Sequence, residues 1–205
     1  VRTLFGRNRT LPIGQSFGVI TVLGRRDISP VEVATFREDV SYSDGRRPDA
    51  IQFSHARQDA FRRDFTINGL FFDPLNDKVV DFVEGQRDLT NKVLRAIGEA
   101  EKRFDEDKLR MLRAIRFAAD FEFEIESRTM AAIRCHATKI NQVSVERISG
   151  ELAKMLVHPR RQTALRLLRD SQLYSEVFIE LPELGEPDWH RLEALIQNAK
   201  VDHFG

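Results

Sequence analysis

The sequence predicts an α+β chain in which a strand-containing front part gives way to an all-helical part at about residue 92. Three observations predict this. Residues 17–23 and 31–37 are β-branched, apolar and bounded by glycine or proline, as in strands. Pro74-Leu75-Asn76-Asp77 lies between two further strand-like runs, 70–73 and 78–82, as in a hairpin. From Glu99 onward the apolar period changes: Phe104, Leu109, Leu112, Ala114, Ile115, Ala118 and Phe121 recur at helical spacings of three and four.

In chain order, residues 1–5 read as the end of a helix. Val1, with neither a start methionine nor a cap before it, reads as a cut inside a longer protein. Strands 17–23 and 31–37 pair across Gly24-Arg25-Arg26-Asp27. The two-residue period puts Glu32 on the face opposite Val31 and Val33. That face is either solvated or the floor of a site. Residues 38–60 hold Ser41-Tyr42-Ser43-Asp44-Gly45-Arg46-Arg47-Pro48-Asp49 and show no periodicity, so they read as a loop, functional or inserted. A short helix is expected over 58–70, then the hairpin, then a helical turn over 85–93. The helix carrying the apolar stripe runs on from Asp105. Further helices are expected over 127–138 with Ser127 as N-cap, 145–157 ended by Pro159, 162–173, and 188–199 after a loop bracketed by Pro182 and Pro187. There is no internal repeat or low-complexity segment.

The 205 residues are 41% hydrophobic, enough for a core, and 31% charged. Lys+Arg and Asp+Glu both number 32. Zero net charge excludes nucleic-acid binding by bulk charge, so phosphate binding must come from local arginine clusters. The single cysteine, Cys135, forms no internal disulfide, and neither it nor the five scattered histidines has metal-ligand spacing. No run is long and apolar enough to span a membrane, and the N-terminus lacks the apolar core of a signal peptide. No membrane partner and a cytoplasmic location are the expectation.

Chemistry concentrates between residues 62 and 116. Arg62-Arg63-Asp64-Phe65-Thr66-Ile67-Asn68 opens this stretch. Its two arginines suit a triphosphate, or ion pairs with Asp64 and Glu84; Asn68, four residues beyond Asp64, suits a ribose hydroxyl. Asp107, Arg110, Arg113 and Arg116 are spaced by three. Such a stripe is either a salt-bridge ladder, worth ~0.2–0.5 kcal/mol per pair, or a carboxylate and guanidinium forks that read a nucleobase edge and reach phosphates.

Four stretches occur in one order: 62–68, the Asp81-Phe82-Val83-Glu84-Gly85 hairpin exit, Glu106-Asp107-Lys108-Leu109-Arg110-Met111-Leu112-Arg113-Ala114-Ile115-Arg116-Phe117, and Glu146-Arg147-Ile148-Ser149-Gly150-Glu151-Leu152. Together they resemble the class II nucleotidyltransferases: CCA-adding tRNA nucleotidyltransferases and the related bacterial poly(A) polymerases. The resemblance implies a partial polymerase-β-like nucleotidyltransferase head (1–91, with a flexible loop in 38–60), an all-helical neck that selects the base (92–158), and the start of an RNA-binding body (159–205). It implies template-independent transfer of CMP and AMP from CTP and ATP to a tRNA 3′ end. By it, Asp107 and Arg110 meet the base edge, Arg63, Arg113 and Arg116 serve nucleotide and phosphates, and Asp64 and Asn68 the sugar side. Asp44, Gly45, Arg46 and Arg47 match the flexible loop, and residues 145–152 a structural motif of the neck.

Glu32 matches the third active-site carboxylate, one of a set that holds two Mg²⁺ ions. The family's Gly-Gly turn and Asp-x-Asp pair do not follow one another anywhere in these residues, so the chain taken alone is expected to be inactive. Two alternatives use the same residues differently. A poly(A) polymerase, or an enzyme adding only CC or only A, would extend another primer or stop early. A non-catalytic RNA-binding module would hold backbone phosphates with Lys139, Arg147, Lys154, Arg160, Arg161, Arg166 and Arg169.

Overall fold

Antiparallel pairing organises the front of the chain. The computed structural model describes residues 1–13, 18–24, 28–39, 51–180 and 184–198. A first short helix, α1 (Arg2–Phe5), and a 3₁₀ turn, Arg7–Arg9, lead to β1 (Thr10–Leu11), β2 (Val19–Val22) and β3 (Val31–Ala34). These form one sheet in the order β1-β2-β3, with Val19 opposite Ala34 and Thr21 opposite Glu32. The predicted pairing of the two strands is therefore found, although 31–37 is not one strand. It breaks after Ala34, and Arg37–Asp39 forms β4, which pairs antiparallel with β5 (Ile51–Phe53). At the break the Phe36 ring turns edge-on to Phe71, 5.3 Å between centroids. Within the stretch expected as a loop, 38–60, the described residues include β5 and most of α2 (Ala56–Phe61). Asp44, Gly45, Arg46 and Arg47 lie outside the described residues.

The helix expected over 58–70 is broken. After α2 the chain extends, Phe65 bridges Ala96, and a 3₁₀ turn follows over Thr66–Gly69. Thr66 N donates to Arg95 O at 3.0 Å and Ile97 N to Asp64 O at 3.0 Å, bonds a continuous helix could not make. Their return is the full burial of the Phe65 ring. The hairpin β6 (Leu70–Asp73) and β7 (Lys78–Asp81) is as expected. At its exit Asp81 accepts the amides of Val83, Gly85 and Gln86 at 3.0, 3.1 and 2.9 Å, starting α3 (Gly85–Thr90). A Cβ on Gly85 would lie 2.3 Å from Thr66 O, so only glycine lets α3 approach the extended segment. Buried Asp88 of α3 completes this support, accepting from Thr66 Oγ1 at 2.8 Å and Arg95 Nε at 3.0 Å.

A short parallel pair, β8 (Val93–Leu94) with β9 (Glu124–Ile125), flanks α4 (Ala100–Glu106) and α5 (Leu109–Phe121). Beyond lie α6 (Ser127–His136), a 3₁₀ stretch over Ala137–Gln142, α7 (Val145–Val157), α8 (Arg161–Asp170), α9 (Leu173–Val177) and α10 (Glu186–Asn198). The N-cap of α6 is Glu126, not Ser127: its carboxylate accepts the Thr129 amide at 2.7 Å. Pro187 falls in the first turn of α10, where a missing N–H costs nothing.

The core belongs to the helices. Met111, Leu112, Ala114 and Ile115 of α5 are fully buried among Phe65, Phe104, Ile133, Ile140 and Leu173. In front of residue 60, Val22 is the buried apolar residue among those described, while Ile28, Val31 and Phe53 are exposed. Among the described residues no helix is long and apolar enough to cross a membrane.

Candidate functional site

An open cleft lies where the segment 62–68, between α2 and β6, meets α5. It is lined by Arg62, Arg63, Asp64, Asn68, Asp107, Arg110, Arg113 and Phe117. The structure thus brings together six of the predicted site residues from two distant stretches of chain. Glu32 and Arg116 are not in its lining.

The cleft's arginines are all held by acids: Arg113 by Asp64, Arg110 by Glu106, and Arg62 and Arg63 together by Asp59. The Asp64 carboxylate sits 8% exposed. Its Oδ1 accepts from Phe65 N and Asn68 Nδ2, both at 2.9 Å, and its Oδ2 from Arg113 Nε at 2.8 Å. Burial alone would raise the Asp64 pKa; the Arg113 guanidinium and the bonds from Asn68, Arg113 and Phe65 outweigh it and hold the carboxyl below its ordinary value. Asn68 still meets Asp64, four residues earlier, although no helix joins them.

The pairing of Arg62 and Arg63 with Asp64 and Glu84, considered from sequence, is replaced by one with Asp59. Arg62 Nε and Nη2 lie 3.0 and 2.8 Å from Asp59 Oδ1, and Arg63 Nε lies 3.1 Å from Oδ2. Arg63 also donates from Nη1 to Asn68 O at 2.8 Å, and its guanidinium carbon lies 4.8 Å above the Phe71 ring. Sequence reasoning missed Asp59. The available signal was its spacing of three and four residues before the two arginines at a helix end.

The stripe of Asp107 and three arginines is not a single helical face. α4 stops at Glu106, and Asp107 is extended, with φ −150° and ψ 106°. Its Oδ1 accepts the amide of Leu109, the first residue of α5, at 3.1 Å, and its Oδ2 accepts from Arg147 of α7 at 2.8 Å. Nor is the stripe a ladder. Arg110 is buried and donates from Nη1 to Glu106 at 2.6 Å and Arg103 O at 3.3 Å, and from Nη2 to Arg62 O at 3.4 Å. Arg116 turns to α7, its Nε 2.7 Å from the buried Glu151 carboxylate. Phe117, also unassigned from sequence, lies under both Arg113 and Arg116, their guanidinium carbons 5.1 and 4.2 Å from its ring centroid.

A guanidinium has five N–H donors and a carboxylate about four acceptor sites. Three bonds on Arg110 and two on Asp107 leave both with capacity to spare, side by side in one cleft. Such a pair can offer acceptor and donor together to a flat hydrogen-bonding edge, with Arg62, Arg63 and Arg113 supplying positive charge nearby.

Glu32 stands exposed on β3. Among the described residues no group of three or more His, Cys, Asp or Glu side chains could hold a metal ion. Free Cys135 is exposed. The seven cations proposed for RNA backbone are all engaged: Lys139 with Asp105, Arg147 with Asp107, Lys154 with Glu151, Arg160 with Glu122, Arg161 with Ile196 O, Arg166 with Glu193 and Arg169 with Glu186.

The chain matches two family models, one described as the poly A polymerase head domain, over residues 1–95, and one as a probable RNA and SrmB-binding site of polymerase A, over residues 122–185. The CCA-adding enzyme of Lactobacillus helveticus is 40% identical over 178 residues, 86% of this chain and 43% of the relative. That of Enterococcus faecalis is 41% identical over 167 residues, 81% of this chain and 40% of the relative. Among solved structures, the Bacillus stearothermophilus CCA-adding enzyme in complex with CTP superposes with a TM-score of 0.73 at 32% identity, over 90% of this chain and 43% of that one. A CCA-adding enzyme in complex with ATP gives 0.72 at 26% identity, over 89% and 41%. The chain therefore spans about two fifths of the relatives it matches, sharing their mixed nucleotidyltransferase head and helical neck. It belongs to the family of tRNA nucleotidyltransferases that comprises the CCA-adding enzymes and the bacterial poly(A) polymerases.

Proposed function

We propose that the protein to which this chain belongs transfers CMP and AMP from CTP and ATP to the 3′ end of tRNA, in the cytoplasm, and that the cleft described above selects the nucleotide. The observation that carries the reading is the convergence of Asp107 and Arg110 with Arg63, Asp64, Asn68 and Arg113 on one cleft. Asp107 accepts from, and Arg110 donates to, the base edge. Arg63 and Arg113 steer and hold the phosphates, and Asp64 with Asn68 bounds the sugar side. Arg116 serves indirectly, by tying α5 to α7 through Glu151. Relatives solved with CTP and with ATP support both nucleotides as ligands. The division into head at 1–91, neck at 92–158 and start of the body at 159–205 is part of the same proposal.

The family depends on a metal ion, which we take to be Mg²⁺; it would activate the primer hydroxyl and stabilise the leaving pyrophosphate. The described residues do not fit that group: no three or more His, Cys, Asp or Glu side chains among them, with or without Glu32, could hold a metal ion. No step is therefore derived through the metal, and these 205 residues alone are expected not to add nucleotides. What the chain does supply is binding and orientation. Holding a nucleotide by base, sugar and phosphates fixes its geometry for transfer.

The test is incorporation of labelled CTP and ATP into tRNA lacking its CCA end. Incorporation of both supports the reading, and ATP-only extension of RNA would make the protein a poly(A) polymerase. Binding of RNA without any nucleoside triphosphate would favour the non-catalytic RNA-binding module instead.

A further inference from the structure

Asp59 lies beneath the cleft rather than in its lining, 2% exposed. Its single carboxylate receives Arg62 through Nε and Nη2, Arg63 through Nε, and the backbone amide of Arg37 at 3.2 Å. Arg37 opens β4, which pairs with β5 across residues 40–50. One buried acid therefore joins both leading arginines of the cleft to the paired strands β4 and β5. Burial disfavours its charged form, but the guanidinium of Arg62, the Arg37 amide and Arg63 hold the carboxyl below its ordinary value, so it is ionised at neutral pH.

Asp59 sets the direction of both guanidinium groups, because long side chains without a fixed partner sample many rotamers. Arg63 is pinned further by Asn68 O and the Phe71 ring. Asp59 alone among these contacts engages both arginines and β4.

We propose that Asp59 is a positioning residue: it presets Arg62 and Arg63 for the phosphates of the incoming nucleotide and couples their orientation to β4. This rests on the nucleotide-selecting reading of the cleft. Without the carboxylate both side chains are held less firmly and more of their ordering falls at the moment of binding, which weakens it by about tenfold. The base edge is read elsewhere, so selectivity is untouched.

The test compares the full-length protein with its Asp59→Asn, Arg63→Ala and doubly substituted forms, measuring KM for CTP, KM for tRNA and the CTP-to-UTP preference. Asp59→Asn is expected to raise KM for CTP about tenfold with the other two quantities unchanged. Added to Arg63→Ala it is expected to cost less than it does alone, because part of its effect passes through that arginine. Asp59→Glu, which keeps the charge, should fall between wild type and Asp59→Asn, and the same cycle is run with it should Asp59→Asn fail to fold. An unchanged KM for CTP, or full additivity with Arg63→Ala, overturns the inference while leaving the cleft reading intact. A wild-type protein that binds no CTP overturns the cleft reading itself.

Discussion

Arg147 of α7 donates from Nη2 to Asp107 Oδ2 at 2.8 Å, reaching from the last of the sequence motifs to the residue assigned to the base edge. Both side chains are largely buried, 21% and 15% exposed. Asp107 is thus fixed from two sides, by the Leu109 amide of its own chain segment and by a helix forty residues on. A motif that reads as structural bears directly on the carboxylate proposed to meet the base.

Arg147→Ala should therefore act on selectivity as well as on stability. It leaves Asp107 held on one side, at a cost of about 1–2 kcal/mol, between exposed and fully buried pairs. Urea unfolding measures that cost. Competition of CTP and ATP against UTP and GTP should show a narrowed preference, and an unaltered preference would mean that Asp107 is placed without Arg147.

Arg110 and Arg63 should separate by phenotype. Arg110 is buried beside Asp107, bonded to Glu106 and to the backbone of Arg103 and Arg62. Arg63 is one-third exposed and anchored to Asp59 and Asn68. Arg110→Ala is expected to erode base discrimination more than Arg63→Ala, which should weaken all four nucleoside triphosphates alike. Competition binding with the four triphosphates decides it; equal loss of selectivity in both variants would remove the base-reading role.

Arg113→Ala strands Asp64. The buried carboxylate keeps Asn68 and the Phe65 amide but loses its counter-charge, at about 2–3 kcal/mol. The pH dependence follows from the lowered Asp64 pKa. A depressed carboxylate contributes stability that is present above its unfolded pKa, near 3.8, and lost as pH falls through the lower folded value. Without Arg113 the folded pKa rises from its depressed value, so acid unfolding should begin at a higher pH. Circular dichroism against pH checks this, and Asp64→Asn in the same background should recover part of the loss.

Much of this was legible in the sequence, for identifiable reasons. Periodicity gave the hairpin, the pairing of the first two long strands, and α7 to the residue, because these depend on local apolar spacing and turn chemistry. It failed where tertiary bonds override local preference. Residues 64–66 leave the helix because they bond to 95–97 and bury Phe65. Asp107 interrupts the long helix by accepting the Leu109 amide, an interruption that three-residue spacing could not reveal. The ordered motifs singled out side chains that the fold gathers into one cleft, and they contain Glu106 and Arg147, but not what these two hold; Asp59 lies outside them, and its spacing before Arg62 and Arg63 is one that many acids and arginines share.

The most direct measurement is nucleotide addition by the full-length protein to tRNA lacking its CCA end, with labelled CTP and ATP, alongside Asp107→Ala and Arg110→Ala. The account predicts incorporation of CMP and then AMP, with UTP and GTP excluded, and loss of that selection in both variants. Incorporation whose base preference survives both substitutions would contradict it.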